Sequence, residues 1–155
     1  MVALDTDVLL LAFAFHRDER QADNARCLAL VQEHAPVVTI YSVMELLGQL
    51  SFNLPSARLR QWPSWLQDRY GLTIVYPPFA ELDAAAFFTA EFVERPLDKM
   101  QQRMPFGDAL ILNLLETVPG LEDFVTWNTR HFTGKTPLLV VTPAQYIDRM
   151  ANSRG

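Results

Sequence analysis

Five short runs of β-forming apolar residues, at 2–4, 37–40, 72–75, 124–127 and 138–141, constrain this chain more than any other feature. They are continuous rather than alternating, so each strand must be buried on both faces. Between them lie helical stretches at 8–15, 20–34, 42–50, 79–94, 108–118 and 144–150. Strands that alternate with helices connect by right-handed crossovers into a parallel sheet. The expected fold class is α/β.

The punctuation agrees. Pro36 precedes the second run, Pro77-Pro78 follows the third, and Pro96 should close the long helix before it. Pro119-Gly120 should end the helix that Asp108 opens. Thr142-Pro143-Ala144-Gln145 is a capping box with proline at the first helical position. Repeats, low-complexity tracts and linkers are missing, so residues 1–150 are expected to form one domain, with 151–155 as a C-terminal tail. Residues 51–70 are less regular, because Pro55 and Pro63 interrupt any helix there. Two short helices that pack Trp62, Trp65 and Leu66 on the core are favoured over an exposed partner-binding clip.

Half of the 155 residues are hydrophobic, which suffices for a core without disulfides. Cys27 is the sole cysteine, so no intrachain disulfide can form, and a reducing, cytoplasmic setting is expected. The apolar stretch 8–15 is too short to cross a membrane and follows two acids, so it reads as a core helix. The net charge of −5 argues against binding nucleic acid by bulk electrostatics. It leaves open a nuclease whose acidic pocket carries divalent cations and whose local cations hold the strand. Arg130, Lys135, Arg103 and Lys99 lie nearest the acids in sequence.

In open parallel sheets, ligands sit beyond the carboxyl ends of the strands. That rule selects Asp5 after the first strand, Glu45 one turn after the second, Asp108 at the head of the helix leading to the fourth, and Asn128 just after it. Carboxylates brought together repel one another, and no lysine or arginine adjoins these three in sequence. Mg²⁺ or Mn²⁺ is the economical counter-charge, because both prefer oxygen ligands. Each acid alone also reads as a helix cap or a partner of a helix dipole, and Ser42-Val43-Met44-Glu45 is itself an acceptable capping box. Taken in this order on this pattern, the residues make a site.

Their motifs resemble those of PIN domains. Leu4-Asp5-Thr6-Asp7-Val8-Leu9 is similar to the opening motif, and Tyr41-Ser42-Val43-Met44-Glu45-Leu46 to the second. Gly107-Asp108-Ala109-Leu110-Ile111 is similar to the third, and Thr126-Trp127-Asn128-Thr129-Arg130-His131-Phe132 to the last. By length and motif the chain most resembles the VapC-type toxins of prokaryotic toxin–antitoxin modules. The resemblance implies a single domain built on a central five-stranded parallel sheet flanked by helices. It implies endoribonuclease activity with Mg²⁺ or Mn²⁺, homodimerisation, and inhibition by a small antitoxin protein. By motif position, Asp5, Glu45 and Asp108 inherit metal-binding and catalytic roles, and Asn128 a catalytic one. Asn128 stands where the family often has Asp, and Asp7 where it more often has Asn or Ser. Asp7 either restores the missing charge or caps the first helix. The alternative is a catalytically weak PIN-like module that binds RNA or scaffolds a partner. A haloacid-dehalogenase phosphatase fits poorly, since Val8-Leu9-Leu10 replaces the usual Gly-Thr after the acids. His131, beside Asn128, reads as a surface histidine at a helix start.

Overall fold

A computed structural model describes residues 1–78 and 83–153. Its sheet has five parallel strands, β1 (Val2–Leu4), β2 (Pro36–Thr39), β3 (Thr73–Val75), β4 (Asp123–Val125) and β5 (Leu139–Val141), in the order β3-β2-β1-β4-β5. The fold is α/β, as expected. Successive residues of a strand point to opposite faces, and this alternation divides the core. Val2, Leu4, Val38 and Val125 belong to one apolar layer, Ala3, Val37 and Phe124 to the other. The central runs are continuous because both faces are covered.

The first layer is closed by α1 (Thr6–Ala14), α2 (Gln21–Val31) and α3 (Ile40–Leu50), with Leu66 of α5 (Trp62–Tyr70, after the short α4, Ser56–Leu59) and Tyr146 of α10 (Pro143–Ser153). The other face is covered by α8 (Phe106–Leu115) and by Phe132 of α9 (Thr129–Phe132). Fully burying one such Leu or Phe stabilises the fold by about 1.5–3 kcal/mol. Cys27 is wholly inside the first layer, and burial pushes its thiol up to about 12, which leaves it an inert packing residue. Among the described residues no helix is long and apolar enough to cross a membrane.

Several local expectations are corrected. Ile40 begins α3 instead of ending β2, because Thr39 caps the helix through an Oγ1 that accepts from the Ser42 N–H at 3.0 Å. The capping box read from Ser42 to Glu45 is therefore not formed, and Glu45 is free to do something else. Pro96 does not close the preceding helix. From α6 (Ala84–Thr89), capped by Asp83, the path runs through a π turn (Ala90–Glu94) into α7 (Arg95–Gln101), so the register break takes up the missing proline N–H. Residues 79–82, the expected start of that helix, lie outside the described residues. Asp108 sits within the first turn of α8, whose N-cap is Pro105, and α8 stops at Leu115, short of Pro119-Gly120. The capping box at Thr142 forms, with Gln145 N–H donating to Thr142 Oγ1 at 3.2 Å, and α10 continues through Ser153.

The 51–70 segment forms two short helices, as expected, and the break between α4 and α5 falls just before Pro63. This proline lies in the first turn of α5, where its missing N–H costs nothing. The Trp62 ring meets Phe13 of α1 edge-on at 4.6 Å and Trp65 at 4.8 Å, while Trp65 remains 41% exposed. Trp62→Ala should lower stability by about 2–3 kcal/mol, combining lost burial with a broken aromatic pair. Phe52→Ser, at a side chain 86% exposed, should change it by less than about 0.5 kcal/mol. Equal urea midpoints for the two variants would show that Trp62 does not anchor α5.

Candidate metal site and the adjoining cleft

β1 is flanked by β2 on one side and β4 on the other, so the chain reverses its direction of winding between β1 and β4. Ligand crevices form at such a point, beyond the carboxyl ends of the strands. The residues delivered there are Asp5, directly after β1, and Thr126, directly after β4. The Asp5 N–H donates to Val125 O at 3.0 Å and the Thr126 N–H to Val141 O at 3.0 Å, so sheet-like bonding holds both backbones one residue past the strands.

Asp5 is the N-cap of α1 and is buried. Its Oδ1 accepts from the Thr6 N–H at 2.8 Å, and its Oδ2 accepts from the Thr126 hydroxyl at 2.7 Å. That hydroxyl also reaches Asp7 Oδ2 at 3.1 Å. It has one proton, so two carboxylates compete for it while its oxygen accepts the Asn128 N–H at 3.0 Å. Asp7 is thus turned toward the end of β4, where the Trp127 N–H donates to it at 3.0 Å, and does not act as a simple helix cap.

This arrangement concentrates negative charge in a place with little water. Burial pushes the Asp5 carboxyl well above its ordinary value, and the charges of Asp7 and Asp108 push the same way. The Thr126 and Thr6 hydrogen bonds oppose the rise but do not cancel it. Asp7 is also raised, mainly by burial, against the pull of the Trp127 N–H and the Thr126 hydroxyl. Among the described residues, no ion pair includes Asp5, Asp7 or Glu45.

The four residues expected to form the site are joined by different links. Asp108 contributes to the electrostatics of Asp5 and bonds His131 Nδ1 through Oδ2 at 2.8 Å. The Asn128 side-chain amide meets the same ring nitrogen at 2.7 Å. One nitrogen cannot donate to Asp108 and accept from Asn128 together, so the histidine tautomer decides which bond is made. Glu45 lies on the flank. Its Oε2 accepts from the Thr6 hydroxyl at 2.7 Å, which ties α3 to the residue after Asp5.

The donor set is all oxygen, crowded and anionic, and it suits Mg²⁺ or Mn²⁺. Among the described residues no three His, Cys, Asp or Glu side chains could enclose a metal ion unaided. Such enclosure is unnecessary for Mg²⁺, which keeps several waters and commonly takes one or two protein carboxylates.

Sequence reasoning gave no role to Thr126, Trp127, Asn24, Arg20 or His131. Asn24, fully buried on α2, donates to Val8 O at 2.9 Å and accepts from the Trp127 indole at 2.8 Å. It fixes the tryptophan whose backbone holds Asp7. Thr126 was visible as the first residue of its motif, and His131 as the sixth. Asn24 and Arg20 lie about a hundred residues from their partner, and no local pattern signals them.

A cleft of about 500 Å³ opens beside the acids, lined by Asp7, Phe15, Arg20, Trp127, Arg130 and His131 among others. Of Arg130, Lys135, Arg103 and Lys99, Arg130 alone lines it, together with Arg20. Lys99 is paired with Glu116 at 2.7 Å, and Lys135 donates to Arg103 O at 3.2 Å.

A PIN-like α/β domain is what this sheet order and the acids at its switch point define. No protein-family profile and no curated protein sequence matches the chain. Among solved structures, the crystal structure of VapBC2 from Rickettsia felis bound to a DNA fragment from their promoter contains a chain with a TM-score of 0.60 and 18% identity. The match covers 92% of this chain and 98% of that one. At this identity the likeness is one of fold, and the fold is the VapC-like PIN architecture that the motifs resemble.

Proposed function

We propose that this chain is an endoribonuclease dependent on Mg²⁺ or Mn²⁺, and the toxin of a toxin–antitoxin module. The observation that carries the reading is the crowding of Asp5, Asp7 and Asp108 at the sheet's switch point, where burial and mutual repulsion raise Asp5 and no ion pair relieves it among the described residues. A fold-only role does not account for that cost.

In this reading one or two of Asp5, Asp108 and Glu45 bind the cation directly, the others acting through its waters, and Asn128 offers its carbonyl oxygen. When bound, the cation supplies counter-charge to a phosphodiester and acidifies a coordinated water. The protein's own groups set the geometry. Thr126 and the Thr6 N–H fix both oxygens of Asp5. The Trp127 N–H holds Asp7, and His131 orients Asp108. Such supports keep a site within the narrow tolerance that chemistry requires. The likeness to a chain of VapBC2 supports a small antitoxin protein as partner, and we extend the proposal to a homodimer acting in the cytoplasm.

Purified protein should cut single-stranded or looped RNA, tested on defined tRNA, ribosomal RNA and messenger RNA, when Mg²⁺ or Mn²⁺ is present. In-line attack by water leaves 5′-phosphate and 3′-hydroxyl ends. Cleavage that persists in excess chelator would defeat the metal mechanism. RNA that is bound yet stays intact with either cation would favour an RNA-binding module, which Asn128 at the fourth motif position keeps in view.

A further inference from the structure

The cleft beside the acids joins two features that do not belong together in a merely structural surface. Phe15, at the end of α1, is 52% exposed and has no aromatic partner among the described residues. Arg130, in the first turns of α9, is exposed and has no ion-pair or hydrogen-bond partner among them. Both line the same cavity, whose floor includes Leu10, Leu11 and Trp127.

Of the other polar lining residues, Asp7 accepts from the Trp127 N–H and the Thr126 hydroxyl, and Arg20 and His131 are engaged as well. Arg20 grips Asp18 through two bonds of 2.8 and 2.7 Å and lies over the Trp127 ring at 5.4 Å. The indole is therefore covered by a cation, and Phe15 supplies the open aromatic surface. The histidine of the lining is engaged through one ring nitrogen, with Asp108 in one tautomer and with the asparagine in the other. What the cleft offers a ligand is one aromatic face and one unpaired guanidinium, beside a second guanidinium and, on the side of the acids, the Asp7 carboxylate. In a chain of net charge −5, Arg130 is a local cation exposed at the cleft beside the acids.

We propose that this cleft is a nucleotide subsite for single-stranded RNA, with a base stacked on Phe15 and a phosphate held by Arg130. Its position next to the cleaved bond rests on the nuclease reading above. A nucleotide supplies both complements at once, an anion and a π face. A basic peptide would meet two guanidiniums, and a purely apolar ligand would leave Arg130 unpaired. The cavity's size falls within the range of small-ligand pockets, roughly 300–1,000 Å³.

The test is equilibrium binding of short fluorescent oligoribonucleotides in excess chelator, so that no strand is cut. Phe15→Ala should weaken binding about tenfold without lowering the melting temperature. An RNA carrying one abasic ribose at the stacked position should bind wild type about tenfold less tightly, and bind Phe15→Ala no worse than intact RNA does. Arg130→Gln should reduce the slope of log affinity against log salt by about 0.7, the value for one phosphate on a single strand. The proposal is overturned if both variants bind RNA as wild type does, or if Phe15→Ala loses affinity for abasic and intact strands alike. It also fails if the variants keep RNA and instead lose an oligo-arginine peptide, which would make the cleft a protein site. Because binding is read without the cation, the two readings separate. Wild type that shows this pattern yet never cuts RNA refutes the nuclease and leaves the cleft. RNA that is cut normally while the variants bind as wild type refutes the cleft alone.

Discussion

Asp5→Asn should abolish RNA cleavage and at the same time raise the melting temperature of the metal-free protein. The two effects share one cause. Asn caps a helix about as well as Asp, so its carbonyl keeps the Thr6 N–H bond that Oδ1 now accepts at 2.8 Å. The new amide N–H₂ donates to Thr126 Oγ1, which releases that hydroxyl's proton entirely to Asp7. A buried charge disappears, together with its repulsion of Asp7 and Asp108. Cation binding should go with it. A cation that binds only the folded state at 100 times its Kd stabilises wild type by about 2.7 kcal/mol. At about 2–4 °C per kcal/mol for a domain of this size, that is a rise of about 5–10 °C in Tm. Wild type should show this rise with Mg²⁺ or Mn²⁺, and Asp5→Asn should not. Cleavage should fall by about a thousandfold or more, the equivalent of several kcal/mol of charge stabilisation. Asp108→Asn and Glu45→Gln should lose cleavage too, the latter keeping its Thr6 bond through the amide oxygen. If Asp5→Asn cuts RNA normally and retains the full cation-induced shift, Asp5 is a helix cap and nothing more.

The residues show why some of this was legible in sequence and some was not. Continuous apolar runs located all five strands to within two residues, although only the central β1, β2 and β4 are buried throughout and the edge strands β3 and β5 expose Thr73 and Leu139. Asp5, Glu45 and Asp108 could be picked out because the parallel sheet fixes where strand ends go, and their order along the chain did the rest. Boundaries failed where a residue type serves two purposes. Thr39-Ile40 looks like strand because both are β-branched, yet Thr39 turns the chain into α3. Trp127 looks like strand for a similar reason, although it lies two residues past β4 and its N–H holds Asp7. Pro96 looks like a helix end only if the helix keeps α register, which the π turn before it does not. His131 reads in sequence as a lone surface histidine because its partner Asp108 is 23 residues away and on another helix. Asn24 and Arg20 were out of reach for the same reason. Their role depends on packing of α2 against α1 and the β4 exit, which no spacing rule encodes.

In the absence of metal, the folded protein should become less stable as pH rises, with a slope that Asp5→Asn reduces. Both Asp5 and Asp7 have folded-state values raised above the ordinary 3.8, chiefly by burial. In the unfolded chain they lose their protons near 3.8. Between that pH and their raised folded values, the folded state holds more protons than the unfolded one. The derivative of unfolding free energy with pH follows protons bound in the unfolded state minus those in the folded state, so here it is negative. The largest slope is about 1.4 kcal/mol per pH unit for each whole proton of difference. Above the folded values, both states are ionised and the loss is complete. Asp18 behaves in the opposite sense. Its bonds to Arg20 lower it to about 2, so its contribution is present above the unfolded value and fades only in acid, outside this window. Urea midpoints measured in chelator should therefore rise as the pH is lowered through the raised folded values, before general acid unfolding sets in. The wild-type curve minus the Asp5→Asn curve removes groups that do not interact with Asp5 and isolates the site. Saturating Mg²⁺ should reverse the sign of that difference, because cation and proton compete for the same carboxylates and the cation gains as protons leave. A wild-type and variant pair with parallel curves, in chelator and in Mg²⁺ alike, would mean that Asp5 carries no buried charge and that no cation is held there.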